Sequence, residues 1–465
     1  MADTVTPLSP EWWMARLYKR LDARRAEIAF FDDYYRGDHP LPWLAPQARD
    51  EFRRLVRMTR SNYMGLVVDA MVERLHVEGF RVDPDAEAPD QDAWRIWQAN
   101  NLDSDFDQAM LEAAIGGVAY LQVAPNTDDA STPYLWVEHA TQAIVEYLPG
   151  SNRRVRAASL KVWDDDWSGE LHATLQTPDR IYKYKARRPS GGMTANPMWE
   201  ERDVITESPN GQRLNPLKTV SMVELPNNPR LLTGGVSELA DVTDIQDRIN
   251  QTLFHRLQTQ EYGADPQKWG TAFPQEDADG TPTVIEWGRN RLVTTDVAET
   301  RFGQWDSAPL DPYSSAKRED VKDVASRTRT PAQYLLGEMS NVNGETLKAS
   351  ESGLVAKTRQ RHRPFAEGAE EAMRIAFRAA GLPDGGKSME TIWRNPEFRT
   401  EGELTDAVVK KLQTGIASLR QARVDVGYSE PAIRRLELED REAALDPTLE
   451  RVARELTGDV APRGG

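Results

Sequence analysis

TPAQYLLGEMSNVNGETLKASESGLVAKTRQRHRPFAEGAEEAMRIAFRAAG, residues 330–381, sets the terms for the whole chain. It opens as a mildly apolar loop in which Gly337, Asn341, Asn343 and Gly344 break regular structure. Asn343 is placed to cap a helix, and Glu345 falls in its first turn, where a carboxylate suits the positive end of the helix dipole. Leu347, Leu354, Val355, Phe365, Ala369, Met373 and Ala376 then recur at spacings near three, four and seven, a single apolar stripe. The pattern predicts a helix of about 36 residues, roughly 54 Å long at 1.5 Å per residue. Pro364 lies inside it and predicts a kink. A loop on the end of a long strut suggests a mechanical part more than a catalytic pocket.

The rest of the chain supplies the frame. Residues 9–36 read as an amphipathic helix, with Ser9 as N-cap, Pro10 at the first turn, and Trp13, Leu17, Leu21, Ile28, Phe31 and Tyr35 on one face. A second helical region covers about 47–76, and VEGFRV (77–82) reads as a strand. Helical patterns return near Trp94 and between Phe106 and Ala114. From Gly117 to Glu224 the period changes to short strand-like runs bounded by turn residues. Leu239, Val242, Ile245, Ile249, Leu253 and Leu257 mark a second long helix with a stripe suited to core or to a neighbouring copy. Residues 263–312 interrupt it with strand candidates PTVIEW and NRLVTT, and 313–329 return as a helix. ETIWRNPEF (390–398) is a last strand candidate, and 402–456 are helical.

Composition narrows the function. The 465 residues carry a formal charge of −16, which disfavours tight, sequence-reading DNA binding but allows DNA to pass an acidic wall. There is no cysteine, hence no disulfide, thiolate zinc site or thiol nucleophile. No stretch approaches eighteen apolar residues, and MADTVTPLSPEWW lacks the basic and apolar parts of a secretion signal. A soluble, intracellular protein with no membrane partner is expected.

Chemical motifs are thin. GLPDGGKS (381–388) fits the phosphate-loop pattern, with Lys387 as its lysine, but a helical run precedes it and a strand-like run follows, the reverse of what phosphate binding needs. Gly381 and Pro383 read as a helix stop. WDDDW (163–167) reads as a solvated turn, because adjacent side chains on a strand diverge. The six histidines are scattered. No catalytic residue, metal site or cofactor is expected. The basic run KTRQRHR (357–363) reads as a solvated helix face or, more sharply, as a contact to DNA phosphates or an acidic neighbouring subunit.

Several phrases, in order, resemble the portal proteins (head–tail connectors) of tailed double-stranded-DNA bacteriophages, especially those of phages infecting actinobacteria. They are YYRGDHPLP (34–42), RSNYMGLVVDAMVERLHVEGFRV (60–82), TPDRIYKY (177–184), and VELPNNPR (223–230) followed by GVSELADVTDIQDRINQTL. The most telling is TPAQYLLGEMSNVNGETLKASESGLVAK (330–357). The similarity covers about residues 10–445. It implies an α+β, multi-domain subunit with a β-rich wing, helical stem, small α/β clip, long kinked spine helix and helical crown. Residues 1–100 would be the helical part of the wing, 101–232 its β-rich part, 233–262 a stem helix and 263–312 the clip. Residues 313–330 would be the returning stem helix, 331–344 the tunnel loop, 345–381 the spine helix, 382–401 a closing wing strand, and 402–465 the crown and tail.

The resemblance also implies a function without catalysis. Portals are rings, usually of twelve subunits, at one capsid vertex of the virion, assembled in the host bacterial cytoplasm. They pass double-stranded DNA without reading its sequence, nucleate procapsid assembly with the major capsid and scaffolding proteins, dock the terminase large subunit, and join a head-completion or adaptor protein. Gln333, Glu338, Ser340, Asn341 and Asn343 would then face the channel. Arg327, Arg329, Lys348, Lys357, Arg359, Arg361 and Arg363 would touch DNA or a neighbouring subunit. Between Pro331 and Gly344 the only charged residue is Glu338, with no lysine or arginine. Affinity climbs with each phosphate neutralised, so such a loop suits sliding rather than gripping.

Overall fold

The computed structural model describes residues 6–43, 50–83, 89–151, 154–187, 197–202, 214–264, 268–272, 299–337, 344–383, 388–397, 401–428 and 430–445. The chain divides into two compact units, Met1–Pro396 and Glu397–Gly465. Both mix of helix and sheet and order of elements follow the α+β expectation.

Helix α1 (Pro10–Arg36) begins where Ser9 Oγ accepts the Trp12 amide at 3.2 Å and ends at Gly37, whose φ of 79° closes the helix. Its apolar face buries Trp13, Leu17, Tyr18, Leu21 and Ile28, and near its end Tyr34 rather than Tyr35 is buried. The expected helix over 47–76 is two helices, α2 (Asp50–Met58) and α3 (Met64–Val72). The break has a local cause: the Asn62 side chain accepts the Met64 amide at 2.9 Å and turns the chain. Strand β1 (Val77–Arg81) leads to α4 (Gln91–Ala99) and α5 (Leu102–Gly116).

The β-rich region forms two sheets. In one, β2 (Val118–Ala124) lies between β3 (Tyr134–Glu138) and β9 (Met222–Pro226), all antiparallel. The other runs β4 (Ala143–Tyr147), β5 (Arg156–Asp165), β6 (Glu170–Gln176), β7 (Ile181–Arg187) and a two-residue β8 (Glu200–Glu201). Period-two alternation divides β5: Ala158, Leu160 and Val162 pack with α1, and Ser159, Lys161 and Trp163 face the other way. The aspartates of 163–167 sit at the β5–β6 hairpin turn, where Asp165 accepts from Ser168. Among the described residues no acidic or histidine cluster could hold a metal ion.

Helix α6 spans Thr243–Ala264, starting later than the stripe from Leu239 suggests. Residues 236–240 are diverted: Val236 N bonds Asn227 O at 2.8 Å and Glu238 N bonds Ala114 O at 2.9 Å. The buried side of α6 packs within the same chain, with Ile245 and Ile249 joining Val321 and Val324 of α7 (Asp311–Thr328) in one core. The stripe down to Ile249 is therefore intramolecular core, not a face for another copy. Between α6 and α7, β10 (Lys268–Thr271) pairs with β11 (Arg301–Gln304). The strand candidates PTVIEW and NRLVTT lie outside the described residues.

After α7 comes α8 (Ala332–Leu336), and then α9 (Gly344–Ala380), a 37-residue helix that runs through Pro364. Strand β12 (Glu390–Trp393) closes on β1, pairing residues more than 300 positions apart. The second unit holds α10 (Glu401–Gln413), α11 (Leu419–Val426) and α12 (Glu430–Leu445). Helix α9 lies so close to β9 that a Cβ at Gly368 would stand 2.4 Å from Leu225 Cδ2 and 3.0 Å from Glu224 O. Replacing glycine by alanine inside a helix ordinarily gains about 1 kcal/mol. Here Gly368→Ala is expected to lose about 1–3 kcal/mol to overpacking. Thermal or denaturant unfolding measures it, and a stabilised variant would contradict this packing.

Candidate functional site

Helices α8 and α9, on either side of residues 338–343, are each held by a set of polar side chains. On the first side, α7 stops at Arg329, a non-glycine residue at φ 56°, with Thr330 N reaching back to Ala325 O at 3.0 Å. Pro331 then starts α8, which ends at Gly337 with φ 65°. Part of the expected loop is thus a helical turn. Leu335 is buried in the main core. Tyr334 donates its hydroxyl to Glu351 Oε1 at 2.6 Å and accepts from Arg74 Nη2 at 3.0 Å. Arg74 completes the triangle with Glu351 Oε2 at 3.3 Å and also bonds Pro396 O at 2.9 Å. Burial, and then the bond to Glu351, raises the Tyr334 phenol above its ordinary pKa.

On the second side, α9 is fixed by a buried charge cluster. Glu238, in the segment leading to α6, takes Lys357 Nζ on one oxygen at 2.8 Å and Arg361 Nε on the other at 2.6 Å. The three side chains are 5–7 % exposed. Arg361 also donates to Asn228 Oδ1 at 3.0 Å, and Asn227 Nδ2 donates to Glu238 Oε1 at 2.9 Å. Lys357 gives a further bond to Thr328 O at 3.0 Å, placing its ammonium on an otherwise orphaned carbonyl at the negative end of α7. Burial alone would raise the Glu238 carboxyl, but Lys357 and Arg361 outweigh it and hold the pKa down to about 2. One cluster therefore ties together the turn after β9, the approach to α6, the end of α7 and the middle of α9.

This geometry sorts the residues named from the sequence. Lys357 and Arg361, four apart, share the inward face of α9 and are buried against Glu238, so this part of the basic run is not a solvated helix face. Arg359 and Arg363 fall on the outward face and are exposed, as is Lys348. His362 stacks on Trp393 with ring centres 4.5 Å apart, and burial lowers its pKa to about 4. Arg327 is exposed and reaches Asp241 O at 3.4 Å. Arg329 is exposed beside Gly353 of α9. Gln333 bonds Ser350 Oγ at 2.9 Å, so it braces α8 against α9. Glu338, Ser340, Asn341 and Asn343 lie outside the described residues.

The phosphate-loop lookalike follows a helix and precedes a strand in space as in sequence. Gly381 has φ 67°, and Leu382 N bonds Phe377 O at 2.9 Å, which makes Gly381 the stop of α9. Lys387 lies outside the described residues. A strand–loop–helix cradle for phosphate is not the local topology.

A long helix anchored at mid-length, an out-and-back helix pair and a β-rich body are thus the main parts of the first unit. The family model for phage portal proteins of the SPP1 Gp6-like type matches residues 15–444, and the chain belongs to that family. It is 31% identical over 398 residues to the portal protein of Mycobacterium phage D29, covering 79% of this chain and 76% of that one. To the portal protein of Mycobacterium phage L5 it is 31% identical over 423 residues, covering 87% and 82%. Among solved structures, the neck of a native GTA particle computed with C12 symmetry overlaps it at 12% identity and a TM-score of 0.41, covering 83% of this chain and 95% of that one. The neck of an empty GTA particle computed with C6 symmetry gives 12% and 0.43, with the same coverage. Among the described residues no helix is long and apolar enough to cross a membrane.

Removing one partner of a buried charge cluster costs about 3–5 kcal/mol. Glu238→Gln, which leaves two buried cations facing each other, is expected to destabilise the subunit by that order. The carboxylate's own contribution, about 3 kcal/mol from the drop between 4.5 and about 2, is complete above pH 4.5 and is lost as pH falls towards 2. The gap between wild type and Glu238→Gln in denaturant unfolding should therefore be widest at neutral pH and shrink towards pH 3. A gap that stays constant with pH would show that Glu238 is not held as a buried anion.

Proposed function

We propose that this portal protein assembles as a ring of twelve at one capsid vertex, with residues 338–343 projecting into the central channel. Double-stranded DNA passes that channel inward during packaging and outward during ejection. The observation that supports this reading is the loop's mounting: Gly337 closes a turn pinned by Tyr334, Arg74 and Glu351, and Gly344 opens a helix pinned by Glu238. A short segment held at both ends can push or brake while its supports stay rigid. The stretch from Pro331 to Gly344 carries no lysine or arginine, which favours sliding over binding. Of the basic residues nearby, Arg327 and Arg329 are exposed next to the loop and are the side chains proposed to meet DNA phosphates.

The β10–β11 end of the α6–α7 pair is the proposed dock for the terminase large subunit and later for a head-completion or adaptor protein. The β-rich body is the proposed contact for the major capsid and scaffolding proteins. The protein would be a virion component, assembled in the host bacterial cytoplasm, and would act without catalysis of its own.

Two measurements test this. Mass photometry of the purified protein under assembly conditions should give particles near twelve times the 52.4 kDa chain mass. A persistent monomer in the presence of its scaffolding protein would contradict it. Deleting residues 338–343 is expected to leave rings intact while abolishing packaging of DNA into heads. Loss of ring formation would show instead that the segment is structural. ATP binding by the purified protein that disappears with Lys387→Ala would favour a nucleotide-dependent enzyme over this reading.

A further inference from the structure

Strand β9 leads into a turn whose tip packs against nothing in its own subunit. Arg230 and Gly234 exchange both backbone bonds, at 2.8 and 3.1 Å, and so close residues 230–234 into a small loop. Leu231 and Leu232 stand at its tip, 98 % and 99 % exposed. Turn tips favour Gly, Pro, Asn, Asp and Ser, and single leucines scattered on a surface need no explanation. Two in succession on one projecting turn do. The base of the turn is fixed. Asn227 N bonds Gly117 O at 2.9 Å and Val236 N bonds Asn227 O at 2.8 Å. Gly235 lies so close to Gly117 that a Cβ on it would stand 1.9 Å from the Gly117 oxygen. The leucines are therefore held out from the subunit. Arg230 beside them is exposed and has no acidic partner among the described residues.

A complement lies elsewhere on the same chain. A cavity of about 270 Å³ opens between α3, α5 and the residue after β12. Val72, Leu75 and Leu111 give it an apolar lining, to which Asp69, Glu73 and Asp107 add carboxylates. Asp69 and Glu73 stand at the C-terminal end of α3, whose last turn holds no basic residue. That end of a helix is negative, so their charge is wrong for the helix and right for an incoming cation. Local partners do not neutralise it. Asp69 accepts the Tyr35 hydroxyl, a neutral donor, at 2.9 Å. Burial raises the Asp107 carboxyl above its ordinary range against the pull of His76, 3.7 Å away. Arg394 in the lining leans on Glu78 at 3.9 Å, and Glu73 has no cationic partner among the described residues. No residue of the 230–234 turn lines this cavity, so a subunit does not fill it with its own leucines.

We propose that the turn at 230–234 of one subunit seats in this cavity of a second copy. Leu231 and Leu232 rest against Val72, Leu75 and Leu111, and Arg230 pairs with Glu73. Two different surfaces meet, so the contact is head-to-tail, and repeating it gives a ring when the rotation closes. The proposal names the contact within the ring proposed above and rests on that reading.

The chain has no cysteine, so introduced thiols are the only ones present. The purified full-length double variant Leu232→Cys/Glu73→Cys, treated with a short bis-maleimide under assembly conditions, is expected to give a covalent ladder beyond the dimer on denaturing gels. An equal mixture of the two single variants should stop at the dimer, and each single variant alone should stay monomeric on the gel. Arg230→Glu sets like charges facing each other and is expected to raise the concentration needed for half-assembly about tenfold. Adding Glu73→Arg should restore it. Both positions are exposed, and circular dichroism and thermal unfolding equal to wild type show that the fold survives. Particles near twelve chains in mass that give no ladder would overturn this contact and leave the ring standing. A ladder in particles of another mass would support the contact and overturn the ring of twelve. Dimers from Leu232→Cys alone, or assembly indifferent to Arg230→Glu, would overturn the contact. Protein that stays monomeric without a ladder, wild type included, would overturn both.

Discussion

The position of α9 in the first unit turns on one carboxylate. Glu238 is buried, and a buried charge is tolerable only if it is paired and its remaining lone pairs are filled. Lys357 and Arg361 of α9 do this together with Asn227 from the turn after β9. The requirement runs both ways, because Lys357 and Arg361 would be as costly alone as Glu238. The cluster therefore specifies where α9 crosses the end of α7 and the turn after β9 more strictly than apolar packing could. Apolar contacts let a helix slide by a turn; a two-oxygen, two-cation arrangement with bonds to Asn228 and Thr328 does not.

The same logic gives the loop its support. A second, half-buried set built from Arg74, Tyr334 and Glu351 fixes α8 against the N-terminal part of α9. Residues 338–343 lie between these two fixtures. Tyr334 ties α8 to α9 through Glu351, and Lys357 ties α9 to the end of α7. Arg329 at the joint, held in a left-handed conformation that glycine would adopt more easily, keeps a charged side chain where the fold alone would not ask for one.

Much of this was legible in the sequence. The apolar stripe located α9 almost to the residue, Ser9 and Gly37 bounded α1, and the period-two runs gave the strands from β2 to β7 and β9. The pairing of VEGFRV with ETIWR was not legible, since nothing local joins β1 to a strand more than 300 residues on. The start of α6 was misplaced because Glu238 and Val236 obey long-range bonds, although Leu239 and Val242 keep the helical spacing. Turn α8 hid inside a stretch rich in helix breakers, where Leu335 has core to fill. The basic run misled most. Lys357 and Arg361 read as surface charges because their partner, Glu238, is over a hundred residues away; only the four-residue spacing on the side of Leu354 and Phe365 hinted that they turn inward.

The portal family accounts for the order of elements, and the buried cluster accounts for why a loop can be hung on that order without loosening it. The most direct check is a high-resolution reconstruction of the assembled ring. The account predicts that residues 338–343 and the Arg329 side chain line the inner wall facing the axis, with Glu238, Lys357 and Arg361 enclosed in the wall behind them. Finding that segment on the outer surface of the ring, or finding the Glu238 cluster opened to the channel, would contradict it.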